Sequence, residues 1–187
     1  MVRGVDVSGA CFGTVALDAI VDGSAVQPGD VVIGLPSSGL HSNGYTLARS
    51  ALAEIPLEDE RLGRPLGDAL LEPTEIYVKP VVELLRSDVD VRGLAHITSG
   101  GTKNLLRLAA EVGYEIDDPL PVPPIFELIQ EQGQVSDEEM SEVFNMGCGF
   151  CVVVPAADGG AALELLRRHY PTAKRVGRAT EGPRRIV

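Results

Sequence analysis

Two short segments concentrate the side chains able to do chemistry. The first, GLPSSGLHSNGY from Gly34 to Tyr45, places hydroxyls, the imidazole of His41, the amide of Asn43 and three glycines within twelve residues. The second, HITSGGTKN, sets His96 beside Thr98, Ser99, Gly100, Gly101 and Asn104. Each lies between an apolar run that reads as a strand and a segment with helical spacing. Glycines let a backbone bend sharply and approach a ligand closely. A helix start after such a loop offers unpaired N–H groups and a partial positive charge, which suits phosphate. Two such junctions fit an anionic, nucleotide-like ligand at one face of a sheet. On composition alone the first is equally an ordinary Ser/Asn/Gly turn ending in a helix cap. A lone histidine at a strand end, such as His96, is more often structural than catalytic. The third histidine, His169, sits where a helix ends and complements its dipole.

The elements that must position these loops can be read from pattern. Val5 to Val21 reads as one or two strands, followed by turn residues at Asp22-Gly23-Ser24 and Gln27-Pro28-Gly29-Asp30. Val31 to Leu35 is an apolar run fit for a buried strand. Helical spacing runs from Tyr45 to Glu54 and from Thr74 to Arg86, with a kink or break expected at Pro80. Leu94 to Ile97 reads as a strand and Lys103 to Val112 as a helix. Pro121 to Pro124 is extended, and Ile125 to Glu131 helical. Ser136 and Glu139 have capping-box spacing, Gly149 to Val154 reads as a strand, and Asp158 is placed to cap a helix through Arg168. The tail from Arg175 reads as a strand. Irregular alternation of strands and helices points to an α+β or mixed-sheet domain rather than a regular doubly wound one.

A length of 187 residues suits one domain, residues 1–187, and is ample to bury a core. The net charge of −11, with no basic stripe to offset it, disfavours nucleic acid as a partner. Aromatics at 4% with no Trp leave no large platform for stacked bases. No run of eighteen apolar residues suggests a membrane span, and the N-terminus lacks the apolar core of a signal peptide; a cytoplasmic location is the expectation. Cys148-Gly-Phe-Cys151 has the spacing of a redox pair but runs into Val152-Val153-Val154, which places Cys151 in a buried strand. No metal site is expected in this chain, since two sulfurs without a nearby histidine are too few ligands.

Four segments, in order, carry a specific resemblance: GLPSSGLHSNGYTLAR (Gly34 to Arg49), LLEPTEIYVKPVVELL (Leu70 to Leu85), AHITSGGTKNLLRL (Ala95 to Leu108) and SEVFNMGCGFCVVVP (Ser141 to Pro155). With them the chain resembles, along nearly its whole length, the C-terminal half of the phosphoribosylformylglycinamidine cyclo-ligase (aminoimidazole ribonucleotide synthetase) family. That resemblance implies an α+β fold, a three-layer α/β/α domain with a mixed sheet. It implies ATP-driven closure of formylglycinamidine ribonucleotide to aminoimidazole ribonucleotide in purine biosynthesis. ATP and Mg²⁺ would be held mostly by an N-terminal half, which also forms the core of a homodimer. This half would close the cleft on the substrate side and be inactive alone.

By the same resemblance, His41 and His96 take polar or acid–base roles. Ser37, Ser38, Gly39, Ser42, Asn43, Gly44, Thr98, Ser99, Gly100, Gly101 and Asn104 line a phosphate- and substrate-binding groove shared by the two loops. Ser99 departs from the family's H-x-T-G-G-G, and would be strained if its position needs positive φ. The alternatives are a non-catalytic nucleotide-binding module, or half of a related enzyme such as thiamine-phosphate kinase or selenophosphate synthetase.

Overall fold

The computed structural model describes residues 9–187. Five strands are present among them: β1 (Val31–Pro36), β2 (Gly93–His96), β3 (Gly113–Glu115), β4 (Cys148–Val154) and β5 (Lys174–Thr180). Six α-helices accompany them: α1 (Tyr45–Ala51), α2 (Leu66–Leu70), α3 (Val78–Leu85), α4 (Pro124–Gly133), α5 (Asp137–Val143) and α6 (Gly159–Arg167). A 3-10 segment spans Gly101–Arg107.

The sheet order is β2-β4-β1-β5-β3, with β1 in the middle and β4 between it and the edge strand β2. Burial on both faces explains the composition of β4. Cys151 and Val153 turn to one apolar cluster, and Val152 and Val154 to the other, so a solid Cys-Val-Val-Val run is buried on both faces. Each such side chain contributes about 1.5–3 kcal/mol by leaving water. On one face Val81 and Leu84 of α3 and Ala162 and Leu166 of α6 cover β1 and β4. On the other, Leu105 and Leu108 in and beside the 3-10 segment cover Val32, Val153 and Val176. Helices α1, α2, α4 and α5 close a third cluster around Leu40, Phe126, Ile129, Met140 and Phe144. The α+β class with helical layers on both sides of a sheet is thus observed. The mixed character of the sheet is slight: all of β1–β4, β1–β5, β2–β4 and β3–β5 are antiparallel, and a bridge between Tyr114 and Ile186 supplies the parallel geometry.

Several local expectations change. Of the strands expected over residues 5–21, residues 5–8 lie outside the described ones. Residues 9–21 form no strand, only a 3-10 turn at Leu17–Ala19. No neighbouring strand pairs with them, and Phe12 and Leu17 stand 95% and 90% exposed. Pro80 breaks nothing because α3 begins at Val78, so the proline falls in the first turn, where a missing N–H leaves no gap. The helix expected from Lys103 is the tighter 3-10 segment and ends at Arg107, after which β3 begins. Ser136 does cap α5, its hydroxyl accepting from the Glu139 N–H at 3.2 Å. Asp158 does not cap α6; its carboxylate accepts from the Asp90 N–H at 2.9 Å. After β5 the chain leaves the sheet, returning only at the Ile186 bridge.

Candidate functional site

Strands β1 and β2 both run antiparallel to β4 and lie on either side of it. They therefore run parallel to each other, and their C-terminal ends share one end of the sheet. The loops after Pro36 and after His96 are thereby brought together, with the His41 and His96 rings 6.3 Å apart between centroids. The start of β4 forms the floor between them. There the register shifts: Phe150 faces Leu35 while Cys148 faces Pro36, leaving Gly149 as the additional residue of a bulge. A side chain at Gly149 is impossible without movement, because a Cβ would lie 1.9 Å from the Tyr77 hydroxyl and 2.7 Å from His41 Cε1.

In the first loop the polar side chains are largely committed to holding the loop itself. The Ser37 hydroxyl donates to Asn145 Oδ1 at 2.8 Å, and the Ser38 hydroxyl donates to the Pro73 carbonyl at 2.6 Å. His41, only 4% exposed and with φ of 58°, turns its ring back over the loop. Its Nε2 accepts from the Ser38 N–H at 3.2 Å and the Glu75 N–H at 3.5 Å. Two N–H donors at one ring nitrogen fix it as the acceptor and put the ring proton on Nδ1. That Nδ1 is buried without a partner among the described residues. Burial, and then the nearby His96 ring, lower the His41 pKa, while Glu75 opposes them. A neutral His41 whose Nε2 is engaged works as a clasp and a donor, not as a free base. Ser42 is exposed and Asn43 half-buried at the loop's outer side. No hydrogen bond among the described residues uses a backbone N–H between Gly39 and Gly44. Those N–H groups form the part of the loop able to receive an anion.

The second loop is wired the other way. Its backbone donors are engaged: the Gly100 N–H with the Glu142 carbonyl at 2.7 Å, the Gly101 N–H with the Thr98 carbonyl at 2.9 Å, and the Lys103 N–H with the Gly100 carbonyl at 3.1 Å. The Asn104 amide donates to the carbonyls of Gly101 at 2.7 Å and Ser99 at 3.2 Å, and Thr98 Oγ1 donates to Asn104 Oδ1 at 3.4 Å. Asn104 is a buried brace. Gly101, at φ 53°, passes so close to α5 that a Cβ would meet the Ser141 carbonyl at 2.3 Å. Ser99 is exposed and is not among the residues of positive φ, which are His41, Gln134 and Met146 besides glycines. A glycine at this position is not required by backbone conformation, and Ser99 is free of positive-φ strain. His96 is exposed, and no hydrogen bond among the described residues uses its ring nitrogens; partial burial lowers its pKa. Neutral and open, its ring can accept or donate a proton, and it lies 6.2 Å from the Phe150 ring.

Three residues that the sequence reading missed hold the site together. Asn145, 5% exposed, accepts from Ser37 and from the Gly147 N–H at 2.9 Å while donating to the Gly39 carbonyl at 2.8 Å. Tyr77 donates to the Pro36 carbonyl at 2.7 Å, and burial raises its pKa far above the usual phenol value. Gly149 supplies the close approach described above. All lie inside the segments IYVKP and FNMGCGF, whose bare sequence shows no partner for any of them. An apolar hollow of about 500 Å³, walled by Ile76, Tyr77, Val78, Phe150 and His96, opens beside this cluster.

Cys148 and Cys151 are free thiols, buried, with sulfurs 3.6 Å apart. The neighbouring thiol and burial raise the Cys151 pKa, the reverse of a reactive redox pair. His169 lies just past α6, with Nε2 2.8 Å from Glu83 Oε2. Among the described residues no three His, Cys, Asp or Glu side chains gather as a metal site, and no helix is long and apolar enough to cross a membrane.

This sheet with its helical layers is an architecture shared with solved structures. E. coli HypE, a hydrogenase maturation protein, superposes with a TM-score of 0.56 at 21% identity over 88% of this chain and 48% of that one. T. maritima PurL complexed with ADP gives 0.52 at 18% identity over 91% of this chain and 25% of PurL. At sequence level, residues 27–187 match the family described as AIR synthase related protein, C-terminal domain, and the chain belongs to it. A phosphoribosylformylglycinamidine cyclo-ligase of Methanopyrus kandleri is 49% identical over 96% of this chain, which covers 52% of that protein. The cyclo-ligase of Methanothermobacter thermautotrophicus is also 49% identical, over 97% of this chain and 55% of its own length. The chain spans about half the length of the curated relatives it matches.

Proposed function

We propose that this chain is the C-terminal, substrate-side half of an ATP-dependent cyclo-ligase that converts formylglycinamidine ribonucleotide to aminoimidazole ribonucleotide. The observation that carries the reading is the 49% identity across 96% of the chain to a protein of that name. ATP phosphorylates the formamide oxygen, the amidine nitrogen attacks the activated carbon, and phosphate departs, leaving ADP and the closed ring. Such chemistry needs placement and charge stabilisation more than covalent help.

In this reading the N–H groups from Gly39 to Gly44, with Ser42 and Asn43 beside them, receive an anionic oxygen, and His96 exchanges protons with the reacting amidine. Ser37, Ser38, His41, Thr98, Gly100, Gly101 and Asn104 keep the two loops in shape around that ligand. Mg²⁺ and most contacts to ATP belong to an N-terminal half, which also makes the homodimer; that this chain spans about half the length of its cyclo-ligase relatives leaves room for such a half.

The test is ADP release from ATP, Mg²⁺ and formylglycinamidine ribonucleotide, with this chain alone, with a separately expressed N-terminal half, and with both. Turnover in the mixture only is the expected result. Two folded halves that bind each other yet release no ADP would turn the reading toward a nucleotide-binding module.

A further inference from the structure

We propose that a hollow beside β2 is a sugar-phosphate subsite, with Arg107 holding the phosphate monoester and Asp22 facing the sugar hydroxyls. The proposal rests on the cyclo-ligase reading for the identity of the ligand, a ribonucleotide. It rests on the chain's own geometry for the site. The hollow has a volume of about 340 Å³ and is lined by Asp22, His96, Asn104 and Arg107 over a floor of Leu94 and Leu108. His96 also walls the apolar hollow on the α3 side, so its ring divides an apolar space from one of mixed polar and apolar lining.

Arg107 ends the 3-10 segment and is exposed. None of the ion pairs among the described residues engages its guanidinium, in a chain of net charge −11 where most other arginines have found a carboxylate. An unspent guanidinium over a concave surface suits a phosphate, which it can grip through two parallel N–H groups. Asp22 is anchored, with Oδ1 accepting from the Ser24 N–H at 2.9 Å, and its exposed carboxylate has further acceptor sites for hydroxyls. Asn104 is committed to its own loop and contributes shape. One cation beside one anion opposes a triphosphate and accommodates a sugar monophosphate. The volume is that of a small-ligand site. A ribonucleotide seated this way lies across the end of β2, its phosphate beside Arg107 and its far end past His96 toward the first loop.

The experiment is a titration of the chain with ribose 5-phosphate, ribose and ATP, followed by amide and arginine side-chain NMR. Ribose 5-phosphate is expected to shift the Arg107 Nε–H and the amides around His96, more strongly than ribose or ATP. R107Q should weaken it about tenfold or more, a loss of one charge-assisted pair, and R107K by less, since lysine keeps charge without the fork. D22N should weaken ribose 5-phosphate and leave inorganic phosphate unchanged. Unaltered affinity in R107Q or R107K, shifts confined to Gly39–Gly44, or preference for ATP overturns the subsite. The outcome separates from the cyclo-ligase reading. Turnover by the paired halves with Arg107-independent binding sinks the subsite alone; Arg107-dependent binding in halves that never release ADP sinks the cyclo-ligase reading alone.

Discussion

In the loop after β1 the side chains of Ser37, Ser38 and His41 are consumed by hydrogen bonds within the protein while the backbone donors from Gly39 to Gly44 stay open. In the loop after β2 the backbone donors of Gly100, Gly101 and Lys103 are consumed, and the His96 ring and Ser99 stay open. Both loops draw on histidine, hydroxyl, amide and glycine, yet what each offers to a ligand is opposite. A residue's type shows what it could donate; only its neighbours show whether the donation has already been made.

The contrast can be broken most directly by amide exchange. Amides from Gly39 to Gly44 should exchange about a hundredfold faster than those of Gly100, Gly101 and Lys103, because exchange tracks opening of a hydrogen bond. Equal protection in both loops would remove the distinction. Next comes the floor they share. Gly149→Ala should cost about 3 kcal/mol in a denaturant titration, as overpacking against Tyr77 and His41 displaces both loops at once. A cost under about 1 kcal/mol would mean that the Tyr77 ring yields freely.

The two asparagine hubs sharpen the comparison further. Asn145→Ala strands partners in the first loop and the Gly147 turn, and should cost about 2–3 kcal/mol; Asn104→Ala, confined to the second loop, about 1–2 kcal/mol. A reversed order would mean that the second loop, not the first, depends more on side-chain bracing.

A smaller effect should follow pH. His41 has a folded pKa below its ordinary value of 6.5. The unfolded chain therefore binds the proton more tightly. The stability this ring contributes is fully present above pH 6.5 and is lost as pH falls from there through the lowered folded value. His41→Gln should flatten that part of the curve; His96→Gln, whose ring clasps nothing, should leave the first-loop amide pattern unchanged. An unaltered acid slope in His41→Gln would show that burial of this ring does not set the acid limb of the stability curve. Ser99→Gly should be smallest of all, within about 0.5 kcal/mol, because Ser99 is exposed and its backbone is unstrained.

The central strands were legible because burial on both faces writes a solid apolar run, as in Val31 to Leu35 and Cys151 to Val154. The capping box at Ser136 was legible because its partner lies three residues away. Where the partner is remote, pattern failed. Asp158 looks like a helix cap but serves Asp90, and Asn145 reads as a plain turn residue though it ties together segments 106 and 108 residues apart. Short β3 is carried by pairing with β5 rather than by its own three residues. The two histidine loops were visible as polar, glycine-rich junctions. Their division of labour was not, since a committed histidine and an open one have the same spelling.

The placement of β4 between β1 and β2 has a metric consequence. Adjacent strands are held about 4.8 Å apart by their ladder, so the roots of the two loops stand about 9–10 Å apart, a gap fixed by backbone alone. Side-chain changes in either loop alter what is grasped, but not this interval. The sheet therefore acts as a rigid spacer: the interval between the two loop roots is set by backbone pairing and not by the side chains of either loop.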